Sequence, residues 1–350
     1  MEIFEYMESE GHEQLLVWSD PTVGLKAFVA IHDSTLGPAC GGVRIWPHKS
    51  EHDAQLDVLR LSKAMTYKSA MAGLNLGGGK ALIWADSRKD KTPSLLRSFG
   101  RFVDSIGGRY VTTEDVGMTP QDLEYVAEET EHVAGLPLSA GGSGDTSVMT
   151  GLGLYLGMKS CANEIWGNGD LSDRVIAIQG FGNVATSTAK HLLRDGARLV
   201  VTDIHDDVLV RAREIGAKIV KPDEIFDVEC DIFSPCALGG VLNSETIPRL
   251  KCSIVAGGAN NQLLHTDNAM ELHDMGILYA PDFVVNAGGI INVACEVGTE
   301  YSESRAIELT ERIYDTTSRV IKASRQEGTT TVESAIRLAE AIISKRSGCH

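Results

Sequence analysis

A short apolar run, Val175-Ile176-Ala177-Ile178-Gln179, leads straight into Gly180-Phe181-Gly182-Asn183-Val184-Ala185, and a helix-compatible stretch continues to Gly196. Strand, G-x-G-x-x-A, helix: this order constrains the fold more than any other feature of the chain. The first glycine permits a tight turn, and the second lets the backbone approach a pyrophosphate. The small last residue allows close helix–sheet packing. The helix start then offers free N–H groups and the positive end of its dipole to phosphate. Leu199-Val200-Val201-Thr202 reads as the next strand, closed by Asp203. That carboxylate comes about 20 residues after the first glycine, where it binds ribose hydroxyls and repels a 2′-phosphate. The stretch therefore predicts dinucleotide binding, with NAD favoured over NADP; the alternative is a purely structural turn. Further short apolar runs at 231–233, 253–256 and 277–280 alternate with helical stretches. Alternation of this kind predicts an α/β fold with a Rossmann-type, doubly wound parallel sheet.

The residues before about 140 follow another plan. Leu25–His32 and Ala81–Trp84 read as strands, with helices over Ala54–Ala72 and Ser94–Ile106. Tyr110–Thr112 reads as a short strand, and Pro120 opens a helix behind Thr119, a suitable N-cap. Gly135–Gly144 is rich in Gly, Ser and Pro and reads as a hinge or linker. Two domains meet there.

The chemistry concentrates in Gly77-Gly78-Gly79-Lys80, read as a loop at the mouth of the buried strand that follows. Backbone without Cβ atoms can approach a ligand closely. A lysine fixed there is partly out of water, and desolvation disfavours its charged form, as a general base requires. On the preceding helix Leu61, Met65, Lys68 and Ala72 are spaced three or four apart, so they share a face expected to pack inward. An inward Lys68 needs an anion or a wet cleft. Surface positions are the ordinary alternative for both lysines. Asp115 follows a short strand and could serve as an acid/base or cap the next turn. His48 and His52 share helix spacing without a third ligand, so they read as a solvated pair, and no metal site is expected. There is no G-x-S-x-G elbow to support a serine hydrolase.

At 350 residues the chain suits two domains. Its formal net charge of −16 argues against nucleic acid and anionic membrane as partners. The seven cysteines (Cys40, Cys161, Cys230, Cys236, Cys252, Cys295 and Cys349) include no C-x-x-C spacing, which suits a reduced compartment. The acidic start, Met1-Glu2-Ile3-Phe4-Glu5, has no signal-peptide pattern, and no apolar run is long enough for a membrane span. A cytoplasmic protein is expected.

Several of these motifs occur in a recognisable order. Met65-Thr66-Tyr67-Lys68 is followed by Gly77–Lys80, Glu114-Asp115-Val116-Gly117 and the late G-x-G-x-x-A. Then come Pro235-Cys236-Ala237-Leu238-Gly239, Ala259-Asn260-Asn261-Gln262 and Asn286-Ala287-Gly288-Gly289. Over nearly its whole length the chain resembles the glutamate/leucine/phenylalanine/valine dehydrogenase family, most closely the branched-chain members. The resemblance implies two domains separated by a cleft. Residues 1–140 would form the substrate-binding and oligomerisation domain and 141–329 the NAD-binding Rossmann domain, with a helix over 330–350 packing back on the first. It also implies reversible oxidative deamination of an L-amino acid to a 2-oxo acid and ammonium, by a homo-oligomer between dimer and octamer.

In that resemblance Lys68 pairs with the substrate carboxylate, Lys80 activates water and Asp115 shuttles protons. The substrate would also meet Cys40, Gly41, Met65, Gly77, Gly78, Thr113, Asn261, Ile290 and Val293. NAD would be held by Thr150, Gly180, Phe181, Gly182, Asn183, Val184, Asp203, Ile204, Cys236, Ala237, Leu238, Ala256, Asn260 and Asn286. The side-chain pocket is small, aliphatic and uncharged, which suits leucine, valine and isoleucine, with phenylalanine the alternative. Ser143–Ser147 looks more like the phenylalanine and valine branches. Ala256-Gly257-Gly258-Ala259 carries an extra glycine, expected to loosen the backbone near the cofactor. Two other readings compete: a 2-hydroxy-acid dehydrogenase, which would call on a histidine base, and a dinucleotide-binding sensor without catalysis.

Overall fold

The computed structural model describes residues 2–348, so Met1 and Cys349 lie outside the described residues. The chain divides into two compact units. One runs up to Thr146 and includes Asn292–Arg305 and the residues from Ala339 onward. The other comprises Ser147–Ile291 and Ala306–Leu338.

The first unit begins with helix α1 (Ile3–Glu10) and strands β1 (Gln14–Asp20), β2 (Leu25–Asp33) and β3 (Ala39–Ile45). Helix α2 (Glu51–Met71), β4 (Gly77–Ile83), α3 (Pro93–Ser105), β5 (Tyr110–Glu114) and α4 (Pro120–Ala127) follow. Three N-caps set these helices: Ser50, Thr92 and Thr119 accept the N–H groups of Asp53, Leu95 and Asp122. The sheet order is β1-β2-β4-β3-β5; β2 is antiparallel to β1 and β4, and β3 is parallel to β4 and β5. Alternation along the strands gives the sheet two faces. Val29, Ile31, Val43, Ala81 and Ile83 pack with Leu95, Phe99 and Leu123 of α3 and α4. Phe28, Ala30 and Leu82 pack with Ala54, Val58 and Leu59 of α2.

Two expectations change here. The glycine run is not a loop: Gly77, Gly78 and Gly79 are the first residues of β4, hydrogen-bonded between two neighbours. Their role is packing. A Cβ on Gly78 would stand 1.9 Å from Thr66 Oγ1 and 2.3 Å from its backbone N, so only a bare backbone admits α2 this closely. The inward stripe of α2 differs accordingly. Ser62, Thr66 and Ser69 are buried, while Met65, Lys68 and Ala72 border the stripe, half-buried. Small side chains fit against the glycine surface; long ones do not.

The second unit opens with α5 (Ser147–Trp166), which the sequence reading did not mark, and continues through β6 (Val175–Gln179), α6 (Asn183–Arg194) and β7 (Arg198–Thr202). Then come α7 (Asp206–Glu214), β8 (Lys218–Ile219), β9 (Ile232–Pro235), β10 (Ile254–Val255), α8 (Asn268–Asp274), β11 (Leu278–Tyr279) and α9 (Asp282–Val285). Helices α10 (Gly288–Ala294), α11 (Glu303–Glu311), α12 (Ile313–Glu327) and α13 (Thr331–Ser347) complete the chain. The six strands pair in parallel in the order β11-β10-β9-β6-β7-β8. The order reverses between β9 and β6, the switch point where doubly wound sheets hold ligands. The C-terminal helix is shared: α13 belongs to the second unit up to Leu338 and to the first from Ala339. Among the described residues no helix is long and apolar enough to cross a membrane.

Candidate active site

Register places the catalytic candidates. Cys40 pairs with Gly78 and Val111, Gly42 with Thr113, and Arg44 with Leu82. Alternation then puts Gly42, Arg44, Lys80 and Thr113 on one sheet face, the face that α2 covers. Lys80 is 6% exposed, and its Nζ lies 2.8 Å from Asp115 Oδ2. Arg44 Nε meets the same oxygen at 3.1 Å. Burial is the largest influence on the Asp115 carboxyl and works to raise its pKa. Lys80 and Arg44, aided by a Lys80 hydrogen bond and the Val116 N–H, outweigh it and hold the group well below the usual carboxylate range.

Gly41 cannot carry a side chain, since a Cβ would fall 1.8 Å from Gly79 O. Cys40 is completely buried, and its burial pushes the thiol up to about 12. Thr113 and Val293 are buried, and Met65 and Lys68 half-buried, in this unit; Ile290 is buried in the second. The Thr113 hydroxyl has no hydrogen-bond partner among the described residues.

Sequence reasoning missed Arg44 because it missed β3. Had that strand been read, the alternation Cys40, Gly42, Arg44 would have placed the arginine beside Lys80. It also missed Glu296, whose carboxylate accepts the Gly135 N–H at 2.6 Å and the Ser143 N–H. Asn292 Nδ2 donates to Ser143 O at 3.0 Å, and Tyr301 donates to Asn292 Oδ1 at 2.7 Å. The run expected to be a free hinge or linker is thus pinned near both ends. Only proximity in the fold links Glu296 to it. His48 also departs from expectation: Nε2 is buried, 3.3 Å from Asp57 Oδ2, whereas His52 is exposed. Among the described residues no group of three or more His, Cys, Asp or Glu could hold a metal ion.

In the second unit the glycine turn follows β6. Gly180 has φ +87°, and a Cβ there would stand 2.6 Å from that of Ala237 beyond β9. Gly182 caps α6 and has open space around its Cβ position. Asp203 accepts the Phe181 N–H at 2.7 Å and the His205 N–H at 3.0 Å, which fixes its carboxylate beside the turn. Asn183, Ile204, Ala237, Leu238, Asn260 and Asn261 are exposed, and Val184 and Cys236 half-buried, around the C-terminal ends of these parallel strands. Thr150, Ala256 and Asn286 are buried. Asn286 Nδ2 donates to Asn260 Oδ1 at 2.8 Å, while Asn286 Oδ1 is buried without a hydrogen-bond partner among the described residues. Asn261 adopts φ +52°, rare for a residue other than glycine. Gly257 does not loosen this backbone. It lies so close to β9 that a Cβ would be 2.2 Å from Pro235 O.

A glycine turn at the switch point of a doubly wound parallel sheet is the arrangement in which such sheets bind dinucleotides. Residues 12–132 match the Glu/Leu/Phe/Val dehydrogenase dimerisation domain. Residues 141–215 and 201–346 match the Glutamate/Leucine/Phenylalanine/Valine dehydrogenase domain. The chain is 51% identical to a leucine dehydrogenase of Bacillus cereus, over 97% of this chain and 93% of that protein. It is 44% identical to a phenylalanine dehydrogenase of Caldalkalibacillus thermarum, over 96% and 92%. The L-tryptophan dehydrogenase structure from Nostoc punctiforme superposes with a TM-score of 0.86 at 42% identity, covering 98% of this chain and 99% of that one. The chain therefore belongs to the glutamate/leucine/phenylalanine/valine dehydrogenase family, and it is an oxidoreductase, an amino-acid dehydrogenase.

Proposed function

We propose that the chain catalyses the reversible, NAD-dependent oxidative deamination of an apolar L-amino acid, with leucine, valine and isoleucine preferred. The observation that carries this reading is the buried contact of Lys80 Nζ with Asp115 Oδ2 at 2.8 Å, a paired base and acid with little water. Lys80 takes a proton from the attacking water, and Asp115 relays protons to and from the amine. Lys68 holds the substrate carboxylate. NAD fits the second unit: the open Gly182 position at the start of α6 suits a pyrophosphate, and the unpartnered Asn286 Oδ1 suits an amide donor. Bound there, NAD would supply the acceptor for a hydride from the substrate Cα. A working homo-oligomer, between dimer and octamer, is supported by the dimerisation-domain match.

The residues of the first unit proposed for the side-chain pocket, Cys40, Gly41, Met65, Thr113 and Val293, are uncharged and mostly small or aliphatic. A charged side chain would lose its hydration there without a partner. One methylene in such a pocket is worth only about 1–3 kcal/mol, so a graded preference is expected. Ranking kcat/KM for leucine, valine, isoleucine, phenylalanine, tryptophan and glutamate with NAD tests the proposal. A branched-chain substrate should lead; an aromatic or glutamate in first place overturns the substrate assignment.

Two variants probe the binding roles. Lys68→Ala should raise KM for the amino acid by about tenfold or more, the cost of one charge-assisted hydrogen bond. An unchanged KM would make Lys68 a structural lysine. Asp203→Ala should narrow the preference for NAD over NADP, because the carboxylate that repels a 2′-phosphate is gone. The check is the ratio of kcat/KM for the two cofactors, which should stay put if another residue makes the choice.

A further inference from the structure

Asp115 does not rest on Lys80 alone. The guanidinium of Arg44 lies between two carboxylates: Nε is 3.1 Å from Asp115 Oδ2, and Nη1 is 3.1 Å from Asp57 Oδ2. Asp57 projects from α2 and is 8% exposed. It is itself held, with Arg60 Nη2 3.4 Å from Oδ1 and His48 Nε2 3.3 Å from Oδ2. The result is a chain of charges, Asp57–Arg44–Asp115–Lys80, drawn from a helix, two strands and the turn after β5. Both cations reach the same oxygen of Asp115, which fixes the carboxylate plane and the direction of its other oxygen. A planar fork can bridge two carboxylates in this way; a lysine ammonium would serve one at a time.

We propose that Arg44 is a positioning residue of the deamination reaction: anchored on Asp57, it aims the Asp115 carboxylate, shares it with Lys80 and so governs proton transfer there. The proposal rests on the catalytic reading given above and extends it to a residue that touches neither substrate nor cofactor in that reading.

The charge around Asp115 gives the sign of the effect. Lys80 and Arg44 face it as cations, the neighbouring Glu114 and the buried Tyr110 interact with it, and Asp57, Arg60 and His48 act through Arg44. Removal of Arg44 leaves the buried carboxylate with one cation, so it binds a proton at higher pH. A protonated Asp115 cannot accept a proton from the substrate amine. Lys80, the base, shares that oxygen, and loss of the Arg44 cation favours the protonated form of both groups, so the acid side of the kcat profile should move to higher pH.

Three variants of the full-length protein, assayed with NAD and L-leucine across pH, test this. Arg44→Gln should lower kcat by about tenfold or more and shift its acid limb to higher pH, with little change in KM for leucine. Arg44→Lys keeps the charge but cannot bridge, so the limb should stay near its original pH while kcat still falls. Asp57→Asn frees the anchor and leaves Arg44 charged at Asp115; kcat should fall with no upward movement of the limb. An Arg44→Gln enzyme with the unmodified kcat and acid limb, altered only in thermal stability, would reduce Arg44 to a strut and overturn the proposal. Should that variant not fold, unmodified kcat in both Arg44→Lys and Asp57→Asn overturns it equally. If the unmodified protein oxidises no amino acid with NAD, the catalytic reading itself has failed, a result distinct from either of these.

Discussion

Lys80→Ala should lower the rate of oxidative deamination by about 10² to 10⁴, the usual contribution of a positioned general base. NAD affinity should stay nearly the same, because the glycine turn, Asp203 and Asn286 belong to the other unit. Loss of Lys80 also leaves Asp115 with Arg44 as its remaining cation at Oδ2, so part of the loss is electrostatic. Steady-state kcat with leucine, set beside NAD binding followed by fluorescence, is the measurement. A kcat within a few-fold of the unmodified enzyme would remove Lys80 from the chemistry. The size of the effect should depend little on the amino acid chosen, since in the proposed mechanism the lysine activates the attacking water and does not meet the side chain.

Gly78→Ala should be among the most damaging single methyl additions in the first unit. The added carbon would lie 1.9 Å from Thr66 Oγ1, 2.3 Å from Thr66 N and 2.5 Å from Ser62 O. Two of these atoms are backbone and cannot rotate away, so α2 must lift from the sheet. Overpacking costs about 1–3 kcal/mol in typical cores and more where the backbone has to move; a loss at or above the top of that range is expected. Gly73→Ala is the control. Gly73 has φ +68° with nothing within 4 Å, so it should cost only the left-handed backbone term of about 1–2 kcal/mol. Urea unfolding of the two variants makes the comparison; equal losses would contradict the close-packing account. Because α2 carries Met65 and Lys68, Gly78→Ala should also raise KM for the amino acid in whatever fraction folds.

Much of the second unit was legible along the chain. Val175–Gln179, the glycine turn, the helix after it and Asp203 are contiguous, and their spacing follows from local geometry: a strand, a turn that needs φ > 0, a helix start and a carboxylate at the end of the next strand. β8 was not legible, since two residues carry no period. In the first unit Lys80 and the Thr119 cap could be read for the same local reason.

The rest depended on pairings between distant segments. β3 lies between β4 and β5 although it precedes both in sequence, and nothing within Ala39–Ile45 announces that placement. The glycine run has the composition of a loop, and it becomes a strand because α2 needs a surface without side chains. Asp115 lies 71 residues from Arg44, yet it meets Asp57 of α2 through that one guanidinium, just as Glu296 meets the 135–144 segment. By itself, then, the sequence determined the elements and chemistry set by neighbouring residues: the glycine turn, the Thr119 cap and the candidate base. The tertiary structure alone decided which charges share a carboxylate and where a side chain is forbidden, because strand order and helix–sheet distance are set by packing across the whole core.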